Sequence, residues 1–184
     1  MKITKTPLKD CALIEPKFFG DSRGFFFESY NETRYSEVLP AGTRFVQDNV
    51  SRSNKGVLRG LHFQNPGSQG KLVQVLEGSV WDVVVDLRRS SPTFGKHFGV
   101  ELSQSNHLQM WVPHGFAHGF CVISESALFA YKVTSDYLPD KEWTLLYNDP
   151  ALEIQWPNMG AYSLSPKDQM GWTLDWLIQN GKVF

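Results

Sequence analysis

Trp81-Asp82-Val83-Val84-Val85-Asp86-Leu87 is the stretch that decides the fold. Trp81, Val83, Val85 and Leu87 fall on one face, and Asp82, Val84 and Asp86 on the other. Val is stiff at χ1 and suits a pleated surface, so the segment reads as a strand. Lys71 to Glu77 reads as a second strand, and Glu77-Gly78-Ser79 as the turn between the two. Further short strands are expected over Ala12–Glu15, Phe25–Tyr30, Phe45–Ser53, Val57–Gln64, Phe98–Ser103, Gln109–Val112, Gly119–Ile123, Leu128–Thr134 and Glu142–Tyr147. Helix signals are few. Asn31–Leu39 predicts a short helix with Asn31 as its N-cap. Ser165-Pro166-Lys167-Asp168 predicts a cap and first turn, with a terminal helix over Gln169–Asn180. Many short strands separated by frequent turns imply a sandwich or barrel. The expected fold is mainly β, an antiparallel double-sheet jelly roll with a short N-terminal arm and a C-terminal helix. Curled sheets enclose a cavity, so inward positions can carry chemistry.

A chain of 184 residues suits one domain, here 1–184. There is no repeat, low-complexity tract or linker. Folding a chain of this mass buries roughly 70% of its unfolded surface, enough for a core without staples. Eighteen basic and nineteen acidic residues leave a net charge of −1. That balance argues against a general electrostatic grip on nucleic acid or anionic membrane, though not against a local basic pocket. No apolar run approaches the ~20 residues that span a bilayer. The first ten residues alternate in charge and lack an apolar signal core. Two cysteines, Cys11 and Cys121, make neither a disulfide framework nor a four-thiolate zinc site. A cytoplasmic location is the simplest expectation.

Two histidine segments stand out. In Arg59-Gly60-Leu61-His62-Phe63-Gln64, alternation sends Leu61 and Phe63 one way and Gly60, His62 and Gln64 the other. In Pro113-His114-Gly115-Phe116-Ala117-His118, the Pro-x-Gly-x-x-His spacing resembles the second motif of the cupin superfamily, a jelly-roll group. The first segment stands where metal-binding cupins carry two histidines one residue apart. Here the second of these is Gln64, a poor ligand for a transition metal. His62 and His118 alone do not make a stable site, so no metal and no cofactor is expected. Arg59, Lys71, Gln47, Asn49, Asp82 and Tyr131 can share the barrel interior with the histidines. Unpaired polar groups are costly to bury, so such a gathering points to a functional cavity. A histidine base, a cation and a phenol suit proton transfer beside a carbonyl.

A longer ordered set of blocks is more specific. It comprises Gly20–Glu28, Gln47-Asp48-Asn49, Arg59–Gln64, Lys71-Leu72-Val73, Val83–Arg88, Ser91–Gly95, Pro113–Phe120, Tyr131–Thr134, Asn148-Asp149-Pro150 and Ser165–Asp168. From about Glu15 to Asp168 this resembles the dTDP-4-dehydrorhamnose 3,5-epimerase family. The resemblance implies dTDP-4-keto-6-deoxyglucose as substrate, inverted at carbons 3 and 5 through an enolate. It implies that His62 is the general base, Asp168 its orienting carboxylate, Tyr131 the general acid and Lys71 the cation beside the enolate oxygen. Arg59 is implied as a diphosphate ligand, Gln47, Asn49 and His118 as further substrate contacts, and Tyr137 as the ring stacked on thymine. Arg23 and Glu28 match residues that reach the neighbouring subunit's site, which implies a homodimer.

On the residues alone, blander readings stand beside these. Asp168 reads as a first-turn acid, Tyr131 as a core aromatic and Lys71 as a solvated strand lysine. Arg23 and Glu28 read as turn and strand-edge charges. His97 and His107 read as surface residues, and His114 carries no role. Three other functions stay open on the sequence. They are a single-carbon epimerase or ketoisomerase, a metal-dependent cupin enzyme, and a non-catalytic sugar-binding jelly roll.

Overall fold

The valine-rich stretch forms β8 (Ser79–Asp86), buried on both faces. Val80 and Val84 enter the core between two sheets, while Val83 and Val85 pack on the outside under the C-terminal segment. The computed structural model describes all of residues 1–184. Ahead of β8 come β1 (Lys2–Lys5), β2 (Ala12–Glu15), β3 (Phe18–Asp21), β4 (Gly24–Phe27) and helix α1 (Glu32–Tyr35). These are followed by β5 (Gln47–Asn54), β6 (Leu58–Gln64) and β7 (Lys71–Glu77). After it come β9 (His97–Ser103), β10 (Gln109–Val112), β11 (Phe116–Val122), β12 (Ser126–Val133) and β13 (Glu142–Thr144). Helices α2 (Pro166–Gln169) and α3 (Leu174–Gln179) end the chain.

Two antiparallel sheets face each other. One runs β1-β2-β10-β7-β12-β5 and the other β13-β6-β11-β8-β9. This is the expected jelly roll. Between the sheets lie Val73, Met110, Phe116, Phe120 and Phe129 among others. The outer face of the second sheet is covered by Leu145, Leu152, Leu174, Leu177 and Val183. The outer face of the first is covered by Tyr35 and Leu39, which pack on Ile14, Leu72 and Trp111. Each sheet thus has both faces buried over much of its area. The apolar core therefore carries the fold, and polar residues in the interior are free to serve something else. No helix is long and apolar enough to cross a membrane.

Several boundaries differ from the sequence reading. The Asn31 side chain does cap α1, accepting from the Arg34 N–H, but the α-helix stops at Tyr35. The single terminal helix expected over Gln169–Asn180 is two short pieces. Between them, Leu146 donates its N–H to the Trp172 carbonyl and Trp172 donates to that of Thr144. Pairing to the end of β13 replaces helical hydrogen bonds there. Gly171 lies so close that a Cβ would sit 2.9 Å from the Leu146 Cα. The strand over Glu142–Tyr147 accordingly closes at Thr144. β1 and β3 carry no clear alternation and were not expected. β3 and β4 form a separate hairpin rich in phenylalanine. His107, expected at the surface, is half-buried and stacks on Phe18 with ring centroids 4.1 Å apart.

Candidate active site

One end of the barrel opens into a polar cleft of about 340 Å³ between the two sheets. Its walls follow from strand alternation. The first sheet contributes Gln47, Asn49 and Ser51 from β5, Lys71 from β7, and Phe129 and Tyr131 from β12. The second sheet contributes Arg59 and His62 from β6, His118 from β11 and Glu142 from β13. Tyr137 stands on the connection between β12 and β13, and Lys167 on α2. Nine of the eleven expected site residues therefore meet here, Asp168 just behind His62.

Strict alternation would put Arg59 on the face opposite His62. A bulge resolves this. His118 pairs with His62 but Phe120 pairs with Arg59, so two steps on β11 span three on β6. Gly60 lies inside the bulge at φ 115°, and a Cβ there would fall 2.6 Å from the Gly119 Cα. Only glycine fits the turn that brings Arg59 and His62 to the same cavity.

His62 Nε2 lies 2.5 Å from Asp168 Oδ1. The carboxylate also accepts the Gly60 N–H at 3.3 Å and the Ser165 hydroxyl at 2.7 Å. Burial pushes the Asp168 carboxyl up, but hydrogen bonds from His62 and Ser165, the His62 charge and the Gly60 N–H hold it below its ordinary range. A carboxylate so anchored accepts the Nε2–H hydrogen bond and fixes the tautomer. Nδ1 then carries the free lone pair, and no protein group bonds it. Ser165 caps α2 by accepting the Asp168 N–H, so one short helix both holds the carboxylate and orients it.

A second pair lies on the adjacent strand. His118 Nε2 is 3.0 Å from both oxygens of Asp82, which is fully buried. Burial raises the Asp82 carboxyl above its usual range, against the opposing pull of His118 and Lys71. Lys71, 8% exposed, makes no hydrogen bond or ion pair. Burial pushes its ammonium down to about 8, with Glu142 and Asp82 opposing and Lys167 adding to the fall. Arg59 donates Nε–H to the buried Ser53 hydroxyl at 3.0 Å, leaving both terminal nitrogens without a protein partner. Lys71 and Arg59 give the cleft unspent positive charge. Tyr131 is raised by burial and by Glu142, with Arg59 opposing, so its phenol stays protonated. It rises from the sheet opposite His62.

Two charged cleft residues, Glu142 and Lys167, were missed by the sequence reading. Glu142 accepts from Lys167 at 2.8 Å and from the Tyr137 hydroxyl at 3.0 Å. Burial raises its carboxyl, but Lys167, His62 and Tyr137 together bring it below the usual range. The position of Lys167 next to Asp168 was the one signal in the sequence. Arg23 and Glu28 do not reach this chain's own cleft. Arg23 forks to Asp21 in the hairpin turn, and Glu28 pairs with Arg34 at 2.7 Å. No group of three or more His, Cys, Asp or Glu side chains is arranged to hold a metal ion. Both cleft histidines turn Nε2 to a carboxylate.

Residues 5–175 match the model of the dTDP-4-dehydrorhamnose 3,5-epimerase family. The dTDP-4-dehydrorhamnose 3,5-epimerase of Pseudomonas aeruginosa is 54% identical over 171 residues, 93% of this chain and 94% of that protein. The enzyme of the same name from Salmonella typhimurium is 51% identical over 176 residues, 95% and 96% of the two chains. A crystal structure of a Legionella pneumophila dTDP-6-deoxy-D-glucose-3,5-epimerase with dTDP-4-keto-L-rhamnose superposes with a TM-score of 0.95. It is 52% identical and covers 99% of this chain and 96% of that one. With matches running nearly end to end and a His–Asp pair, a lysine and a tyrosine sharing one cleft, this chain belongs to the dTDP-4-dehydrorhamnose 3,5-epimerase family.

Proposed function

We propose that this protein is a dTDP-4-dehydrorhamnose 3,5-epimerase. It takes dTDP-4-keto-6-deoxyglucose and inverts carbons 3 and 5 of the sugar. The observation that carries the reading is the pairing across one cleft of the Asp168-anchored His62 with Tyr131 on the opposite sheet.

The hydrogens at carbons 3 and 5 are acidic because each carbanion delocalises onto the keto oxygen at carbon 4. His62 Nδ1 removes one of them, and the charge moves to that oxygen. The Lys71 ammonium stabilises the enolate, with His118 as a further contact. Tyr131 returns a proton to the same carbon from the other face, and the configuration inverts. A second round acts on the other carbon. Each round removes one proton and adds one, so no electrons are exchanged with a partner. Arg59, whose terminal nitrogens have no protein partner, can fork to the diphosphate. Gln47 and Asn49 offer amides to the nucleotide end, and Tyr137 offers a ring for thymine. We place Arg23 and Glu28 in the site of a second copy, which makes the working unit a homodimer. The two buried free thiols suit a reducing cytoplasm.

Incubation with dTDP-4-keto-6-deoxyglucose in deuterated water tests the mechanism. The wild-type product carries deuterium at carbons 3 and 5 with both inverted. Tyr131→Phe keeps the ring but removes the donor, so it still exchanges label while inversion falls by about 10²-fold or more. His62→Asn loses exchange and inversion together, because no proton leaves. Inversion at the wild-type rate in Tyr131→Phe would show that another group is the acid. Label at one carbon alone would make the enzyme a single-carbon epimerase.

A further inference from the structure

Gln64 is 3% exposed, and its amide is almost fully used. Nε2 donates to the Gly67 carbonyl at 2.8 Å and to the Asp136 carbonyl at 3.2 Å. Oε1 accepts the Leu138 N–H at 2.9 Å. Two of these bonds go to the residues on either side of Tyr137. The third goes to the connection that follows β6. One side chain therefore ties two separate connections to the strand that carries His62. No imidazole or carboxylate could reproduce this pattern, since it needs two donors and an acceptor on one planar group.

Tyr137 itself is 49% exposed, and its ring has little packing to hold it. Its hydroxyl donates to Glu142 at 3.0 Å, which fixes the tip but not the backbone. The backbone on both sides of the ring is fixed by Gln64. We propose that Gln64 is a positioning residue for the nucleotide end of the substrate: its buried amide holds the 136–138 backbone so that the Tyr137 ring stands ready for the base before the ligand arrives. This rests on the reading that Tyr137 stacks on thymine. A preorganised ring spares the ligand the cost of ordering that segment, and the benefit appears in binding rather than in the chemical step. Gln64 does not line the cleft and acts through Tyr137.

The test uses the full chain, with dTDP as the probe in calorimetric titration and the nucleotide sugar in steady-state kinetics. Gln64→Glu places a carboxylate oxygen against two carbonyls. Gln64→Met keeps the length and removes every polar partner, and serves if the charged variant does not fold. Losing two bonds at the Tyr137 backbone weakens dTDP and raises KM by about tenfold or more. kcat stays within about twofold of wild type, the signature of lost uniform binding. Tyr137→Ala alone weakens dTDP, and adding Gln64→Met to it weakens dTDP little further, because the two act as one unit. The proposal fails if the Gln64 variants bind dTDP as the wild type does while Tyr137→Ala does not. It also fails if Gln64→Met costs as much with Ala at 137 as with Tyr, or if kcat falls while KM holds. Unchanged dTDP binding in Tyr137→Ala alone would instead remove the stacking reading, and this proposal with it.

Discussion

Lys71 enters the cleft with no partner close enough to bond, and that isolation is the point of its position. A paired lysine would be stabler but its charge would be spent. Holding the ammonium in a buried site lowers it from 10.5 to about 8, equivalent to a cost of ~3 kcal/mol. The same desolvation makes the charge worth more to an enolate than it would be in water. Two opposite pH responses follow. The unfolded chain keeps its lysine protonated up to about 10.5, whereas the folded chain releases the proton from about 8. Between those values the unfolded state binds more protons, so this group's contribution makes stability rise with pH. Under the proposed mechanism catalysis runs the other way, because a neutral amine would no longer stabilise the oxyanion. We expect kcat to fall as pH climbs above about 8 while the denaturation midpoint receives no loss from this lysine. Lys71→Met should raise the midpoint, by at most ~3 kcal/mol of stability. It should lower kcat by roughly 10²- to 10³-fold. Parallel pH series of kcat and of guanidinium melts check both. A kcat that stays level to about pH 10 would remove the ammonium from the mechanism.

At the scale of elements, the Asp168 carboxylate that anchors His62 depends on one turn of helix. α2 is four residues long, too short to be stable alone. Ser165 holds it at both levels, accepting the Asp168 N–H at 3.2 Å and donating to Asp168 Oδ2 at 2.7 Å. Ser165→Ala should cost about 1 kcal/mol of stability through the lost cap. The loosened carboxylate should lower kcat by roughly tenfold to a hundredfold. Asp168 also loses one of the bonds that hold its carboxyl down, so the acidic limb of the kcat profile moves to higher pH. Ser165→Thr keeps the hydroxyl and should restore all three. A Ser165→Ala enzyme that melts lower yet turns over normally would separate the cap from the catalysis. The cap was legible in Ser165-Pro166-Lys167-Asp168 because capping is local chemistry. β8 and β10 were legible for the same kind of reason, since alternation or apolar content is written along the strand itself. The break before α3 was not, because it is set by hydrogen bonds between Trp172 and residues of and next to β13. The inward turn of Arg59 needs a bulge against β11, and alternation within β6 alone sends it the wrong way. Glu142 was missed for a similar reason. Its surroundings come from Lys167, which is near it only in the fold, and from Tyr137, brought back to it by the short 3₁₀ turn between them.

For the whole molecule, a single chain leaves two features unfinished. The β3–β4 hairpin exposes Phe19, Phe25 and Phe26 by 50%, 64% and 68%. β5 ends its sheet with one free edge, and Val46 and Val50 are 57% and 64% exposed beside it. An exposed edge and an aromatic hairpin are liabilities in a monomer and assets at an interface. The hairpin turn carries Arg23 away from its own cleft, and the proposed dimer would bring it to the partner's. In a two-fold dimer each site would then use His62 from one chain and Arg23 from the other. We expect the purified protein to scatter light as a dimer. Arg23→Ala and His62→Asn should each be inactive or nearly so as homodimers. Co-expressed in equal amounts, they pair at random, and half of the dimers are mixed. A mixed dimer has one site with both defects and one with neither. The mixture should therefore recover about a quarter of wild-type activity, a level fixed by the symmetry rather than by any energy. If Arg23 served its own chain's site, every site in the mixture would carry a defect and no activity would return. An active monomer, or a mixture no better than the average of the two variants, would confine the site to a single chain.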